Sequence, residues 1–219
     1  MKDRNIILKQ TPLFQGIKEN DYDFLLKCLS AREQEYKKDT YIFMTGNPVT
    51  EVGIVLSGSV NIINEDYWGN RTIISKMSVG EMFGEAFSYA EITTLPVSVV
   101  AVENTRILFI NYKQILTNCA SLCTFHANLI HNMVRILAYK NIALTRKIEH
   151  TSRRTTRDKL LSYLSAQAIT AKRQAFDIPF NRQELADYLS VDRSAMSNEL
   201  CKLRDEGVLA FHKNHFELL

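Results

Sequence analysis

The segment Phe180–Gly207, FNRQELADYLSVDRSAMSNELCKLRDEG, predicts two helices joined by a very short turn. Asn181 and Glu184 have the spacing of a capping box at the start of the first helix, and Asp192 is a good N-cap for the second. Ser190 and the residue after it are left to form the turn. This arrangement is typical of a helix-turn-helix, whose second helix fits the major groove of DNA. An ordinary pair of packed helices is the alternative.

The two sides of the second helix differ in chemistry. Its predicted buried face consists of Ala195, Met196, Leu200 and Leu203. The other side suits base edges, because arginine pairs with guanine, asparagine pairs with adenine and serine accepts either. The candidate DNA contacts are Arg193, Ser194, Ser197, Asn198, Arg182 and Lys202. Residues 208–218 predict two short strands around a polar turn, and such a wing favours the DNA-binding interpretation.

Length and composition limit the class of protein. The 219 residues suffice for two modest domains, and an apolar fraction of 46% supports buried cores. No apolar run is long enough to span a bilayer, and the first ten residues lack the apolar core of a signal peptide. The four cysteines form neither a CxxC pair nor a disulfide framework, so we expect a cytoplasmic protein with no membrane partner.

The charge pattern gives only weak support for nucleic-acid binding. The net charge is +3, but six basic side chains cluster shortly before the helix-turn-helix. They are Arg146, Lys147, Arg153, Arg154, Arg157 and Lys159. Such a basic cluster suits DNA phosphates, whereas a solvated helix face is the simpler explanation.

The first half of the chain has a different periodicity. Residues 5–30 follow a helical pattern, and residues 31–110 resemble short strands separated by glycine and asparagine turns. The predicted strands are Thr40–Met44, Glu51–Leu56, Ser59–Asn64, Arg71–Met77, Val97–Val102 and Arg106–Ile110. Many short strands at this spacing predict a sandwich or a closed β-roll, which is a natural container for a ligand.

A long helix is predicted over residues 121–149, which contain neither glycine nor proline. At 1.5 Å per residue it is about 40 Å long. Its apolar residues recur near a heptad seam, so we expect the helix to pair with a second copy of itself. The predicted dimer interface consists of Leu122, Phe125, Leu129, Met133, Ile136, Lys140 and Ala143. Burial of this stripe within one subunit is the alternative.

The order of roll, long helix and winged helix-turn-helix resembles the Crp/Fnr family of transcription regulators along nearly the whole chain. Tyr41–Gly46 and Val55–Val60 look like the family's early roll strands. Gly80–Glu85, followed by Pro96–Ala101, looks like its phosphate-binding cassette. The helix-turn-helix is the third matching segment, and the three together are more specific than any one alone.

The resemblance implies an α+β fold in three parts. Residues 1–120 form an N-terminal β-roll, a double-stranded β-helix of the cyclic-nucleotide-binding type that acts as a sensor. Residues 121–150 form the dimerisation helix, and residues 151–219 form the winged helix-turn-helix. The implied protein is a homodimer on double-stranded DNA, with recognition helices in successive major grooves and RNA polymerase as a further partner.

The cassette departs from the family pattern at its cationic residue. Members that bind cyclic nucleotides hold the ribose with a Gly-Glu pair and the phosphate with an arginine further along. Gly84 and Glu85 match the pair, but Leu95 stands at the arginine position, and no Arg or Lys occurs between Lys76 and Arg106. A buried phosphate without a cationic partner carries a heavy desolvation penalty. We therefore expect no tight cyclic-nucleotide binding and a structural role for Glu85.

The candidate effector pocket is mostly apolar. It consists of Phe83, Gly84, Glu85, Phe87, Leu95, Val97, Phe125, His126 and Leu129. Such a lining suits a small apolar effector. A core filled by its own side chains is the more common outcome for residues of this type.

Other sensing chemistries have less support. An iron–sulfur sensor of this family needs several N-terminal cysteines, and only Cys28 lies there. Cys119 and Cys123 stand one helical turn apart and suit either a redox response or half-buried packing. His126 and His131 are the haem-ligand candidates on the long helix. We predict no cofactor and no metal, while haem or redox sensing and a non-DNA-binding interaction module stay alternatives.

An enzyme is the hypothesis from a different class, since some β-rolls are metal-dependent oxygenases. Those enzymes place histidines inside the roll, and residues 1–125 contain none. We therefore expect no enzymatic activity.

The reading helix also departs from its relatives, which often carry arginine, glutamate and a second arginine on the exposed face. Here those positions hold Arg193, Ser194 and Asn198, so only the first is retained. Ser190 stands where the turn often has glycine, which predicts a strained residue or a modified turn. We expect a sequence-specific regulator whose operator differs from the familiar palindrome.

Overall fold

The computed structural model describes residues 2–90, 94–116 and 125–219. Contacts within the chain divide it into two compact units, residues 1–66 with 74–140 and residues 67–73 with 141–219. The boundary between Lys140 and Asn141 falls inside the long helix, so this helix belongs to both units.

The N-terminal part of the chain combines short helices with the strands of a roll. Its helices are α1 (Lys2–Gln10), α2 (Tyr22–Cys28), α3 (Glu85–Tyr89), α4 (Tyr112–Leu116) and the start of α5 (Phe125–Thr151). Its strands are β1 (Arg32–Tyr36), β2 (Tyr41–Phe43), β3 (Glu51–Ser57), β4 (Val60–Glu65), β5 (Arg71–Met77), β6 (Met82–Phe83), β7 (Ser98–Ala101) and β8 (Thr105–Asn111). The predicted helical region at residues 5–30 consists of α1, a 3-10 helix at Pro12–Phe14, a second 3-10 helix at Glu19–Asp21, and α2. The chain turns between the two 3-10 helices at Gly16, where φ is +81°.

Two four-stranded sheets form the β-roll, with the strand orders β1-β8-β3-β6 and β2-β7-β4-β5. All six strands predicted from the sequence are present. Strand β1 does not follow from the sequence, because REQEY lacks an apolar alternation and its side chains are mostly exposed. It forms because it pairs antiparallel with β8, where Gln34 lies opposite Ile107.

The alternation along β3 separates two apolar clusters. Val55 points into the roll and packs with Phe83 and Phe109 in a cluster that lies inside it. The neighbouring residue Ile54 belongs to a second cluster, built with α1, α2 and the first turns of α5. Both clusters consist of fully or nearly fully buried side chains, so the roll and the covering helices form the core of the first unit.

The rotation of α5 corrects the predicted dimer interface. Leu129 and Met133 are buried in the cluster beneath α1 and α2, and Phe125 and Ile136 pack against it. Leu129 and Met133 cannot also face a second subunit, because the subunit's own core already covers them, whereas Phe125 and Ile136 are half-buried. Ala143 is exposed, and Leu122 lies outside the described residues.

The C-terminal part is a winged helix-turn-helix, as predicted. It comprises the end of α5, α6 (Thr156–Ala171), β9 (Ala175–Asp177), α7 (Arg182–Leu189), α8 (Arg193–Asp205), β10 (Leu209–His212) and β11 (His215–Leu218). The wing strands form a three-stranded sheet in the order β10-β11-β9. Taken together, the parts confirm the α+β class with a roll, a long helix and a winged helix-turn-helix. Within the described ranges, no helix combines the length and apolar character needed to cross a membrane.

Candidate nucleic-acid interface and effector cassette

Local capping sets the ends of both helices of the helix-turn-helix. The Asn181 side chain accepts a hydrogen bond from the backbone N–H of Glu184 at 3.0 Å, and the Glu184 carboxylate accepts one from the N–H of Asn181 at 2.9 Å. The Asp192 carboxylate accepts a hydrogen bond from the N–H of Ala195 at 2.8 Å. The predicted capping box and second cap are therefore both confirmed, and they leave a short turn between the helices.

The turn contains the strained residue that the sequence predicts. Ser190 adopts a left-handed conformation with φ 52°, which is unfavourable for a residue with a Cβ. Lys159 of α6 donates hydrogen bonds to the carbonyl oxygens of Leu189 and Ser190, each at 3.3 Å. Its positive charge lies at the C-terminus of α7, where a cation stabilises the helix dipole.

The far end of α8 leads directly into the wing. Gly207 has φ 71°, and its N–H donates to the carbonyl oxygen of Arg204 at 2.9 Å. The N–H of Val208 donates to the carbonyl oxygen of Leu203, also at 2.9 Å. These two bonds form a Schellman motif, so the sequence correctly predicts Gly207 as the C′ residue.

The reading face is open to solvent. Arg193, Ser194 and Asn198 are exposed and Ser197 is half-buried, while Met196 faces the core. Ala195, predicted to be buried, is exposed because it lies beyond the arc of α8 that packs on α7. Lys202 is exposed and forms an ion pair with Glu199 at 2.7 Å.

Arg182 has a different environment from the other candidate DNA contacts. Its guanidinium stacks over the rings of Phe211 and Phe216, at 4.7 and 4.9 Å from their centroids. Burial lowers the pKa of Arg182. This arginine therefore connects α7 to the wing, and its contact with DNA stays a prediction.

The basic cluster before the helix-turn-helix is partly used inside the protein. Arg157 donates to the Glu206 carboxylate, and Lys159 supports the turn as described above. Arg146, Arg153 and Arg154 are exposed. These three arginines are the members of the cluster that remain candidates for phosphate contacts.

Lys147 is a half-buried member of the same basic cluster. Its ammonium lies 4.8 Å from the centroid of the Tyr188 ring in α7 and donates a hydrogen bond to the carbonyl oxygen of Ile73. Burial lowers the pKa of Lys147 to about 8. The residue thus connects the second half of α5 to the helix-turn-helix.

The cassette has a cation that sequence reasoning missed. Gly84 is left-handed, with φ +87°, and precedes the first residue of α3, Glu85. The Glu85 carboxylate is only 3% exposed, and its Oε1 lies 2.6 Å from the Nζ of Lys140 in α5. The same ammonium donates to the carbonyl oxygen of Met82. Lys140, predicted in the dimer interface, is therefore an internal partner of the cassette.

Leu95, near the end of the cassette segment, is held by backbone hydrogen bonds to the turn that follows β2. Its N–H donates to the carbonyl oxygen of Asn47 at 2.9 Å, and its own carbonyl accepts from the N–H of Gly46 at 2.8 Å. The side chain is buried. The position of the family's arginine is thus filled by an apolar side chain held on the turn between β2 and β3.

Three of the predicted effector residues pack in two different apolar clusters. Phe83 packs inside the roll, with its ring 5.5 Å from that of Phe43, whereas Phe125 and Leu129 belong to the cluster under α1 and α2. His126 is buried, and its Nε2 lies 3.1 Å from the carbonyl oxygen of Gln114. Val97 is buried and Phe87 is half-buried. The effector pocket as a whole stays a prediction.

The cysteine candidates are only partly visible. Cys28 and Cys201 are not joined in disulfides, and Cys119 and Cys123 lie outside the described residues. Across residues 2–90, 94–116 and 125–219 there is no group of three or more His, Cys, Asp and Glu side chains with metal-binding geometry.

A β-roll joined through a long helix to a winged helix-turn-helix defines a DNA-binding transcription regulator. Two family models match this order: a cyclic nucleotide-binding domain over residues 33–121 and a Crp-like helix-turn-helix domain over residues 158–219. The chain belongs to the Crp/Fnr family of transcription regulators. Members of this family are not enzymes, and this chain is not one.

The relatives cover most of the chain at modest identity. The chain is 25% identical over 202 residues to "Cyclic AMP receptor protein" of Thermus thermophilus, which spans 92% of this chain and 89% of that protein. It is 23% identical over 200 residues to "cAMP-activated global transcriptional regulator CRP" of Haemophilus influenzae, covering 86% and 83%.

Solved structures show the same fold. The c-di-GMP responsive global regulator CLP of Xanthomonas campestris matches with a TM-score of 0.74 and 21% identity, covering 92% of this chain and 99% of that one. A CooA mutant from Carboxydothermus hydrogenoformans matches with a TM-score of 0.70 and 21% identity, covering 89% and 85%. At these identities the likeness establishes the fold and not the effector.

The half-buried Lys147 predicts a pH dependence of stability. Its pKa of about 8 in the folded protein lies below the ordinary lysine pKa of 10.5, so the unfolded chain binds more protons between these two values. Stability should therefore rise with pH in that window and fall as pH drops through about 8. We expect the difference in unfolding free energy between wild type and Lys147→Met to grow between about pH 7 and about pH 10. Denaturant unfolding at a series of pH values measures it.

Lys113→Met provides the matched control, because this lysine of α4 is exposed. The difference between wild type and the control should stay constant with pH. A constant difference for Lys147→Met as well would show that this ammonium is not desolvated in the folded protein.

Proposed function

We propose that this regulator is a cytoplasmic homodimer that reads a specific DNA sequence with α8 and requires neither a cyclic nucleotide nor another cofactor. The exposed reading face on a fully capped helix-turn-helix is the observation that carries the proposal. Arg193 at the first turn of α8 suits guanine, and Asn198 one turn later suits adenine. RNA polymerase is the further partner we propose, because the relatives are transcription regulators.

The proposed dimer uses a different face of α5 from the one that the sequence predicts. Heptad positions a and d fall on a stripe next to the buried face, and most of its side chains are exposed in the single chain. The stripe consists of Ala127, Ile130, Val134, Leu137, Asn141, Leu144 and Ile148. Val134 is 62% and Ile148 is 66% exposed, which is unusual for large aliphatic side chains on one face of a helix.

A polar residue in this seam supports pairing of two helices. Asn141 occupies an a position and is exposed, with Val134 one heptad before it and Ile148 one heptad after it. A single asparagine at such a position specifies register and favours two strands, because the two amides can hydrogen-bond across the interface. The seam therefore has the composition expected of a parallel two-stranded coiled coil.

Two features of the cassette support independence from cyclic nucleotides. The buried Leu95 offers no charge to a phosphate, and the Glu85 carboxylate already has a cation within 2.6 Å. A ligand that used Glu85 would have to compete with Lys140 inside a site of low dielectric constant. One relative is named for cyclic AMP and another for c-di-GMP, so the fold itself does not dictate the effector.

Arg193→Ala should weaken specific DNA binding by about 1–3 kcal/mol and relax the preference at one base position. Selection of bound sequences from random DNA, followed by fluorescence anisotropy on the selected site, measures both effects. Arg173→Ala is the control, because it removes an equal charge from an exposed position outside the helix-turn-helix. Unchanged base preference in Arg193→Ala would refute its role as a base reader.

Val134→Glu should convert the dimer into a monomer, because it places two carboxylates in the apolar seam. Sedimentation velocity measures the change. Tyr139→Glu introduces the same charge at a 67% exposed position away from the seam and should remain dimeric. A Val134→Glu protein that remains dimeric would show that the dimer interface lies elsewhere. Leu129→Glu should instead unfold the first unit, because Leu129 is buried in its core.

Isothermal titration of the wild-type protein with cyclic AMP or cyclic GMP should give no saturable heat at micromolar concentrations. The reason is that the buried Leu95 stands at the position of the family's arginine and that Lys140 is already paired with Glu85. Sub-micromolar affinity for either nucleotide would contradict this part of the proposal.

A further inference from the structure

We propose that Lys140 acts as an internal substitute for an effector. By binding Glu85, it holds α5 on the cassette and keeps the protein in its DNA-binding state without a small molecule. This inference rests on the proposed DNA-binding function and adds a mechanism for its regulation.

The contact is a buried ion pair and not a surface one. The Glu85 side chain is 4% exposed and that of Lys140 is 25% exposed, with 2.6 Å between Oε1 and Nζ. A carboxylate buried to this degree requires a cationic partner, because its desolvation is otherwise uncompensated. The second hydrogen bond, to the carbonyl oxygen of Met82, ties the same ammonium to β6. Lys140 thus holds two consecutive parts of the cassette at once.

Lys140 lies in α5 at the boundary between the two units, so its contact with the cassette involves the helix that both units share. Lys140 is the last residue of the helix that belongs to the first unit, and the second unit begins at the next residue, Asn141. Because α5 is one continuous helix over Phe125–Thr151, the pair fixes the point at which the helix leaves the roll. The helix-turn-helix is reached through the same helix, where Lys147 contacts Tyr188 two turns later.

The seam of α5 passes beside this point. Asn141, the a-position residue of the proposed coiled coil, directly follows Lys140, so the face that binds the cassette and the face that would pair the subunits meet here. A helix held by the cassette presents one fixed rotation of its seam. The buried Leu129 and Met133 fix the first turns of α5, so loss of the ion pair would free only the part of the helix that follows them. Several orientations of that part would then be accessible, and only a fraction of molecules would retain the one that fits DNA.

The test compares wild type with the double variant Glu85→Gln and Lys140→Met, without any added nucleotide. The double variant is used because Lys140→Met alone leaves a buried unpaired carboxylate and is expected to destabilise the unit. We expect the double variant to stay folded and dimeric but to bind the selected DNA site at least tenfold more weakly. Fluorescence anisotropy measures affinity, and circular dichroism and sedimentation confirm folding and assembly. Lys113→Met, again at an exposed lysine of the same unit, should bind as wild type does.

A second measurement separates this inference from the proposed function. Hydrogen exchange of the α5 amides around Lys140 should be faster in the double variant than in wild type, whether or not DNA is bound. Failure of the wild-type protein to bind any DNA would overturn the proposed function. The hydrogen-exchange measurement would still test whether the ion pair holds α5 on the cassette. A folded double variant with wild-type DNA affinity, or with wild-type exchange in α5, would overturn the internal-substitute role.

Discussion

The burial of Leu129 and Met133 beneath α1 and α2 sets the rotation of α5, and much of the molecule depends on that rotation. Once these side chains face the core, Lys140 is directed to the cassette, because it lies on a neighbouring part of the same helical surface. The exposed stripe that includes Val134 and Ile148 is then left uncovered. Helix α5 therefore has a core face, an ionic contact and an exposed apolar seam. Packing of the core face fixes the directions of the other two.

The cassette illustrates how charge is balanced over a long sequence distance. Glu85 lies in a segment without nearby cations, yet it is buried, which requires compensation. The compensating ammonium comes from a residue 55 positions later in the chain. A pair of this kind cannot be recognised from local composition, although a lysine in an apolar seam is itself a signal that the seam has been placed on the wrong face.

The DNA-binding part is governed by shorter-range interactions. Its helices begin at side-chain caps and end at a left-handed serine and a Schellman glycine, all within the segment itself. Two contacts from outside that segment complete it: Lys159 at the strained turn, and the wing rings over Arg182. The latter gives Arg182 a packing role in addition to its predicted contact with DNA.

The sequence by itself determined six of the eight roll strands, the long helix, the helix-turn-helix with its caps, and the family. These depend on periodicity and on hydrogen bonds between residues close in the chain. Tertiary structure alone decided which face of α5 is buried, which partner Glu85 has, and where Arg182 and Ala195 point. In some of these cases the residue that makes the contact is distant in sequence. In the others, the choice is between two adjacent faces of one helix, which are related by the rotation of about 100° of a single residue. Only packing against the rest of the chain resolves such choices, because several faces of these helices carry apolar or basic side chains.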